Sequence, residues 1–243
     1  MNWRRHTLAT LIALAAAAAA VGSCTGSGNS WNPIGRSLGW FNFLNGTDMR
    51  RNCGPGAPEH VRFVYNARWG EQVRIYELLP PSNPGGSSIL GSRVIFPENL
   101  SAFRLDDPLA PWAGKRDSIL LLPADVAAID RALDESGFDA PAPAGLNLPS
   151  DGFYWVVAAC RGGRFHFNAW VYPSKRFAAL RFPEELFRRD RTGVAVRPPD
   201  PNAPTRIQAY QGGRESAAYS GTGPSIFDLE VGENGLKNIL SLF

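Results

Sequence analysis

The sequence predicts an α+β fold with a mainly antiparallel sheet built from hairpins. Three observations predict it: period-two hydrophobic alternation recurs along the chain, a Gly-Gly pair interrupts the strongest such segment, and only one stretch carries a clear helical repeat. Regular strand–helix–strand alternation, the mark of a parallel sheet, is missing. With 243 residues, 44% of them hydrophobic and 19% charged, the chain has globular composition and the length to bury a substantial core.

The elements follow in order. Trp31 to Asn52 mixes Gly, Asn and Pro with Trp40, Phe41, Phe43 and Leu44, and is expected to be an irregular arm whose aromatics pack on the main body. His60 to Trp69 alternates as a strand and Glu71 to Leu79 repeats the pattern. A three-residue loop Trp69-Gly70-Glu71 then sets Ala67 opposite Val73 and Tyr65 opposite Ile75. Pro80 to Ser88 is a loop, Ile89 to Phe96 a short strand, and the sheet continues at Ser118 to Leu122. Pro123 starts an amphipathic helix marked by Val126, Ile129 and Leu133, and Gly137 stops it. After a Pro/Ala/Gly linker from Asp139 to Pro149, Phe153 to Tyr172 reads as a hairpin turning at Gly162-Gly163. Its register places Cys160 opposite Phe165, Ala158 opposite Phe167, Val156 opposite Ala169 and Tyr154 opposite Val171 on one apolar face, expected to be the core. The other face pairs Ala159 with His166, Val157 with Asn168, Trp155 with Trp170 and Phe153 with Tyr172. Ser174 to Leu180 and Pro183 to Arg191 are short helical segments, and Thr205 to Tyr210 is a last strand. The chain thus divides into a leader (1–23), a tether with an irregular arm (24–52), a globular α+β domain (53–211) and a Gly/Ser-rich tail (212–243).

The leader is the most informative segment. Arg4 and Arg5 precede a 14-residue apolar run, Leu8 to Val21, too short to span a bilayer but suited to a secretory signal. Val21-Gly22-Ser23-Cys24 resembles the lipobox of bacterial lipoprotein precursors, with Val where Leu is usual and Ser where Gly or Ala is usual. The resemblance covers these 24 residues alone. It implies cleavage before Cys24, attachment of acyl chains such as palmitate to that residue, and stable anchoring by more than one chain. Thr25 in place of Asp implies an outer-membrane destination facing the periplasm. The alternative is ordinary cleavage after Ala18-Ala19-Ala20, giving a soluble secreted protein. Removing Arg4 and Arg5 with the leader brings the net charge from +3 to +1, so the mature chain has no electrostatic footprint for nucleic acid.

Of three cysteines, lipidation of Cys24 leaves two, and Cys53 and Cys160 then pair most simply as one disulfide. A Cys160 nucleophile working with His166 is disfavoured because the hairpin register points them to opposite faces. His60 and His166 stand without HxH, HExxH or CxxC partners, so no metal site is expected. Neither Gly-x-Ser-x-Gly nor a phosphate-binding glycine loop occurs, and no catalytic residue, cofactor or nucleotide is assigned. Glu71 with Glu77, and Asp106 with Asp107, are paired carboxylates whose simplest role is a solvated edge. Arg62, Arg68 and Arg74 with Asn66 and Gln72 are expected on one polar strand-pair face. The candidate ligand-binding residues are Trp155, Trp170, Tyr172 and His166, since aromatic planes stack on sugars or anchor a protein partner; burial under a helix is the plainer reading of the same stripe. The function these features suggest is a lipid-anchored envelope protein acting in structure or protein interaction. Glycan binding, or an envelope-polymer hydrolase using His166, are the alternatives.

Overall fold

A computed structural model describes residues 33–83, 85–96, 114–202 and 227–237. The chain divides into two compact units, Met1–Phe41 and Asn42–Phe243. Of the first, only the start of helix α1 (Pro33–Leu44) is among the described residues. Helix α2 (Thr47–Asn52) follows, with Asp48 in its first turn and Arg50 and Arg51 in its last, as the helix dipole favours. The segment expected to be irregular is therefore helical.

Six strands form one antiparallel sheet: β1 (His60–Ala67), β2 (Gln72–Leu79), β3 (Ser88–Ile95), β4 (Lys115–Leu121), β6 (Phe153–Arg161) and β7 (Arg164–Val171), in the order β4-β3-β2-β1-β6-β7. The short β5 (Asn147–Pro149) joins β8 (Asp228–Val231) and β9 (Leu236–Lys237) in a second, three-stranded sheet. Between them lie α3 (Pro123–Glu135), α4 (Lys175–Ala178) and α5 (Phe182–Arg189). An antiparallel sheet with helices laid on it is the architecture the sequence patterns predict. The tail is not wholly irregular, because Asp228–Val231 alternates exposed and buried and pairs with β5. The strand expected at Thr205 to Tyr210, and Asp106 with Asp107, lie outside the described residues.

The β6–β7 hairpin has the predicted register throughout, Arg161 opposite Arg164 and Trp155 opposite Trp170. Gly162 and Gly163 both take positive φ, 55° and 70°, which is what a two-residue turn matching the sheet twist requires. They differ in surroundings: a Cβ at Gly162 meets open space, whereas one at Gly163 lies 2.6 Å from the Gly54 carbonyl oxygen. Gly162→Ala is expected to cost about 1–2 kcal/mol from its left-handed backbone, and Gly163→Ala clearly more, in urea unfolding of the two variants side by side. Equal costs would mean that the turn does not rest against Gly54.

The β1–β2 hairpin departs from expectation by one residue. Arg68 adopts φ 65° and its carbonyl accepts from Glu71 N (2.8 Å) and Gln72 N (3.1 Å), so the loop runs Arg68–Glu71 and Ala67 faces Gln72, Tyr65 faces Arg74 and Val64 faces Ile75. A slip of one residue moves every side chain of β2 to the other face. Arg62 and Arg74 thus lie on opposite sides of the sheet, and Arg68 in the loop; the single polar face expected for them does not form.

Both faces of the central strands are covered, and β6 is buried from Phe153 to Cys160. The main core lies on the face carrying Phe63, Tyr65, Tyr76, Trp155, Val157 and Trp170, against Ile129 and Leu133 of α3 and Phe182 and Leu186 of α5. This corrects the expectation that the Ala158/Phe167 face is the core: that face is buried too, but beneath smaller elements. Gly46 sets α2 against it with a Cβ position 2.7 Å from Ala158 Cβ, and Asn66 Nδ2 donates to Ser150 O and Gly152 O beside the small sheet. The predicted helix is confirmed as α3. Asp125 Oδ2 accepts from Leu122 N, and Gly137 (φ 73°) ends it, with Phe138 N bonding back to Leu133 O. Ser136 Oγ then accepts from Arg181 N (2.8 Å), joining the end of α3 to the start of α5.

Candidate functional site

Cys24 lies outside the described residues. The other two cysteines form the expected disulfide, Cys53–Cys160, with Cα atoms 5.6 Å apart. The aromatic stripe is not a surface: Trp155 and Trp170 are each 1% exposed, Trp155 stacks on Tyr65 (4.8 Å), and both indoles meet Phe182 edge-on. Apolar residues of α3 and α5 cover that face because the hairpin contributes its largest rings there, so neither indole offers a plane to a sugar. Tyr172 is half-buried between Phe153 and Phe177. His166 Nε2 contacts Phe138 O (2.7 Å) and Ala140 O (3.2 Å); both partners only accept, so this nitrogen carries a proton. Asn168, fully buried, donates to the same two carbonyls, and Arg176 donates to its Oδ1. The hairpin end thus uses His166 to hold the 137–140 turn.

Two further polar constellations were not anticipated. On the core face, Arg74 is 0% exposed and donates to Asp190 Oδ2, Gln72 Oε1 (2.9 Å) and Val194 O (2.6 Å). Tyr76 Oη donates to the same Asp190 oxygen (2.7 Å), and Thr192 N and Oγ1 donate to the other. Gln72 adds bonds to Ala195 O and Arg197 N, and Tyr65 Oη donates to Arg197 O. A strap, residues 190–197, is fastened across β1 and β2 by this network.

On the opposite face the register fixes the rows of neighbours. Arg62, Glu77, Gly91 and Ser118 form one row across β1-β2-β3-β4, and Val64, Ile75, Arg93 and Arg116 the next. Arg62, 4% exposed, is fully employed: Nε donates to Glu77 Oε1 (3.0 Å), the guanidinium grips both oxygens of Asp48 (2.9 and 2.8 Å), and it stacks 3.7 Å over the Phe43 ring. His60 Nε2 sits 3.2 Å from the same Glu77 oxygen. Beside this cluster an open groove of about 590 Å³ runs along the sheet, with Gly91 in its floor, Phe43 and Ile75 on its apolar side, and Arg93, Arg116 and Ser118 on the other. Arg93 is the sole charge in β3, directly opposite Arg116. Burial, and then the Arg116 guanidinium beside it, hold Arg93 below the ordinary arginine range.

For Glu77 and Asp190 burial pushes the carboxyl up, but their partners outweigh it: His60 and Arg62 for Glu77, and Thr192, Tyr76 and Arg74 for Asp190. Both therefore ionise below the usual range. Asp48 behaves alike, burial opposed by Arg62. Between the folded and unfolded pKa the unfolded chain binds more protons, so this stability is present above the unfolded values, about pH 4, and is lost as pH falls. Asp130 is raised by burial and offsets a part. Thermal unfolding is expected to fall from about pH 5 toward pH 3, less steeply in Glu77→Gln; identical slopes would mean that the His60–Glu77–Arg62 contacts do not stabilise the fold.

The groove residues escaped the sequence reading because cross-strand neighbours exist only once the β2–β3–β4 register is known. The available signal was one arginine inside an otherwise uncharged strand. Among the described residues no cluster of three or more His, Cys, Asp or Glu is placed to hold a metal, and no helix is long and apolar enough to cross a membrane. No family model matches the chain, and neither does any curated protein or solved structure.

Proposed function

We propose that the chain is a lipid-anchored protein of the bacterial envelope, held at the outer membrane by an acylated Cys24 and facing the periplasm, and that its domain is a binding and interaction module rather than a catalyst. The observation that carries this reading is the Cys53–Cys160 disulfide. It fits an oxidising compartment, and it leaves Cys24, alone of three cysteines, as the thiol for acylation beside Val21-Gly22-Ser23. The interaction surface is the β2–β4 groove, open among the described residues beside central strands β1 and β6 that are buried on both faces. Glycan stacking on Trp155 and Trp170 is not retained, since both are buried.

The anchor is tested by the intact mass of native protein extracted in detergent. A chain beginning at Cys24 with added acyl mass, gaining two protons on reduction, is the expected result. An unmodified chain beginning near Val21 overturns the anchor. The groove is tested by a photoreactive amino acid at Ser118, exposed at its edge, with Glu184 on α5 as the remote control: adducts in cells at position 118 only are expected, and equal labelling at both overturns the groove as the interaction surface.

A further inference from the structure

We infer that one end of strands β2–β4, carrying Leu79, Leu120 and Leu122, seats the domain on the bilayer that holds its acyl chains. The inference rests on the Cys24 anchor proposed above and adds a second, weaker contact with the same membrane.

Among the described residues the exposed large hydrophobic side chains are Leu79 (37%), Leu120 (72%) and Leu122 (67%), and the register brings them together. Leu79 lies opposite Ile89, and Ile89 opposite Leu120, so these make one row across β2, β3 and β4. Leu122 follows two residues on, at the start of α3. The alternate residues Leu78, Leu90 and Leu121 enter the core, which turns the row to the opposite face. Single exposed leucines are ordinary on a protein surface, whereas a contiguous group marks an interaction site. The chain around them is free of charge: residues 78–92 and 118–124 contain no Asp, Glu, Lys, Arg or His.

A bilayer fits this surface better than a protein partner does. Protein hot spots are built on Trp, Tyr and Arg, and leucine is under-represented in them; the patch has neither an aromatic ring nor a charge to fix a partner's orientation. Lipid asks only for apolar side chains and the absence of buried charge. Entry is shallow, because β4 is an edge strand whose outer backbone groups stay among headgroups and water. The next rows on that face, with Glu77 and then Arg93 and Arg116, set its limit. The tether acts in the same sense. Between Cys24 and the start of α1 at Pro33 lie only residues 25–32, which reach at most about 30 Å, less than the diameter of about 40 Å expected for a domain of this size. An anchored domain so close to the membrane meets it at high effective concentration, and a small apolar patch then suffices.

The test uses the acylated protein reconstituted in phosphatidylethanolamine–phosphatidylglycerol vesicles. An environment-sensitive fluorescent amino acid replaces Leu120 or, as the remote control, Ala195, which is exposed on the strap at the other end of β2. Acyl-chain-brominated lipid is expected to quench position 120 by about two-fold or more and to leave position 195 nearly unchanged. With the fluorophore at position 79 quenching is retained, and adding Leu120→Ser with Leu122→Ser should remove most of it without changing Tm, because exposed side chains contribute little to folding. Flotation reads the anchor separately. Equal quenching at 120 and 195, or none at 120 in protein that floats with the vesicles, overturns the docking and leaves the anchor standing. A Tm lowered by the serine pair shows that the chain itself covers the leucines, and a dimer dissolved by the pair shows a second copy on them; either overturns the inference. Protein that does not float removes the anchor and the docking together.

Discussion

Asp190→Ala lowers the unfolding free energy by about 3–5 kcal/mol, because it strands the Arg74 guanidinium in the core without its counter-charge. The side chains are 0% and 5% exposed, so solvent does little to screen the loss. Four donors converge on the two Asp190 oxygens, from Arg74, Tyr76 and Thr192, and each loses its acceptor. At this chain length the change corresponds to a Tm lower by about 6–20 °C. Two further variants separate the causes. Tyr76→Phe removes one neutral hydrogen bond and should cost about 1 kcal/mol. Arg74→Met combined with Asp190→Leu removes both charges and should recover most of the loss, since an apolar pair of similar volume is often as stable as a buried ion pair. If the single alanine variant unfolds within 1 kcal/mol of wild type, the strap is not held by this network, and the 190–197 segment should then already exchange its amide hydrogens as an open loop.

How far the fold was legible depended on whether a local residue fixed the backbone. Gly162-Gly163 pins the turn of β6–β7, so its whole register could be written from the sequence, and Pro123 and Gly137 bracket α3 in the same way. At the β1–β2 turn the positive φ falls on Arg68, a residue with no preference for it, so nothing local distinguishes a three-residue loop from a four-residue one. The consequence is large: that slip hides both Arg74 in the core and the separation of Arg62 from it. Helix α2 did carry a signal, Asp48 early and Arg50 and Arg51 late, but the glycines and asparagines around it outweigh intrinsic propensity; tertiary packing of buried Met49 decides. The buried state of Trp155 and Trp170 was one of two readings of an amphipathic hairpin, because a strand face shows its apolar character but not what lies on it. Cys53–Cys160 followed from counting thiols and needed no geometry.

Removing that disulfide, by Cys53→Ser with Cys160→Ser, is expected to cost about 4–5 kcal/mol. The bridge spans 107 residues, and closing a loop of that length takes about this much entropy from the unfolded chain. The native contribution is local. Cys53 follows the last turn of α2 and Cys160 is opposite His60 on β1, so the bridge clamps α2 to the sheet beside the Asp48–Arg62–Glu77 cluster and sets Gly54 against the Gly163 turn. If the effect is carried by the unfolded state, the double variant should refold to the same structure with a lower urea midpoint, and the amides of 47–58 should exchange no faster than a global loss of stability requires. Selective loss of protection in 47–58 would instead assign the bridge a native-state role in seating α2, and would be accompanied by a smaller contribution of Glu77 to the acid slope. A cost below 1 kcal/mol, with unchanged protection, contradicts both. The distinction bears on the groove, because Phe43 and Glu77 line it and both are held by Arg62, which grips Asp48 of α2.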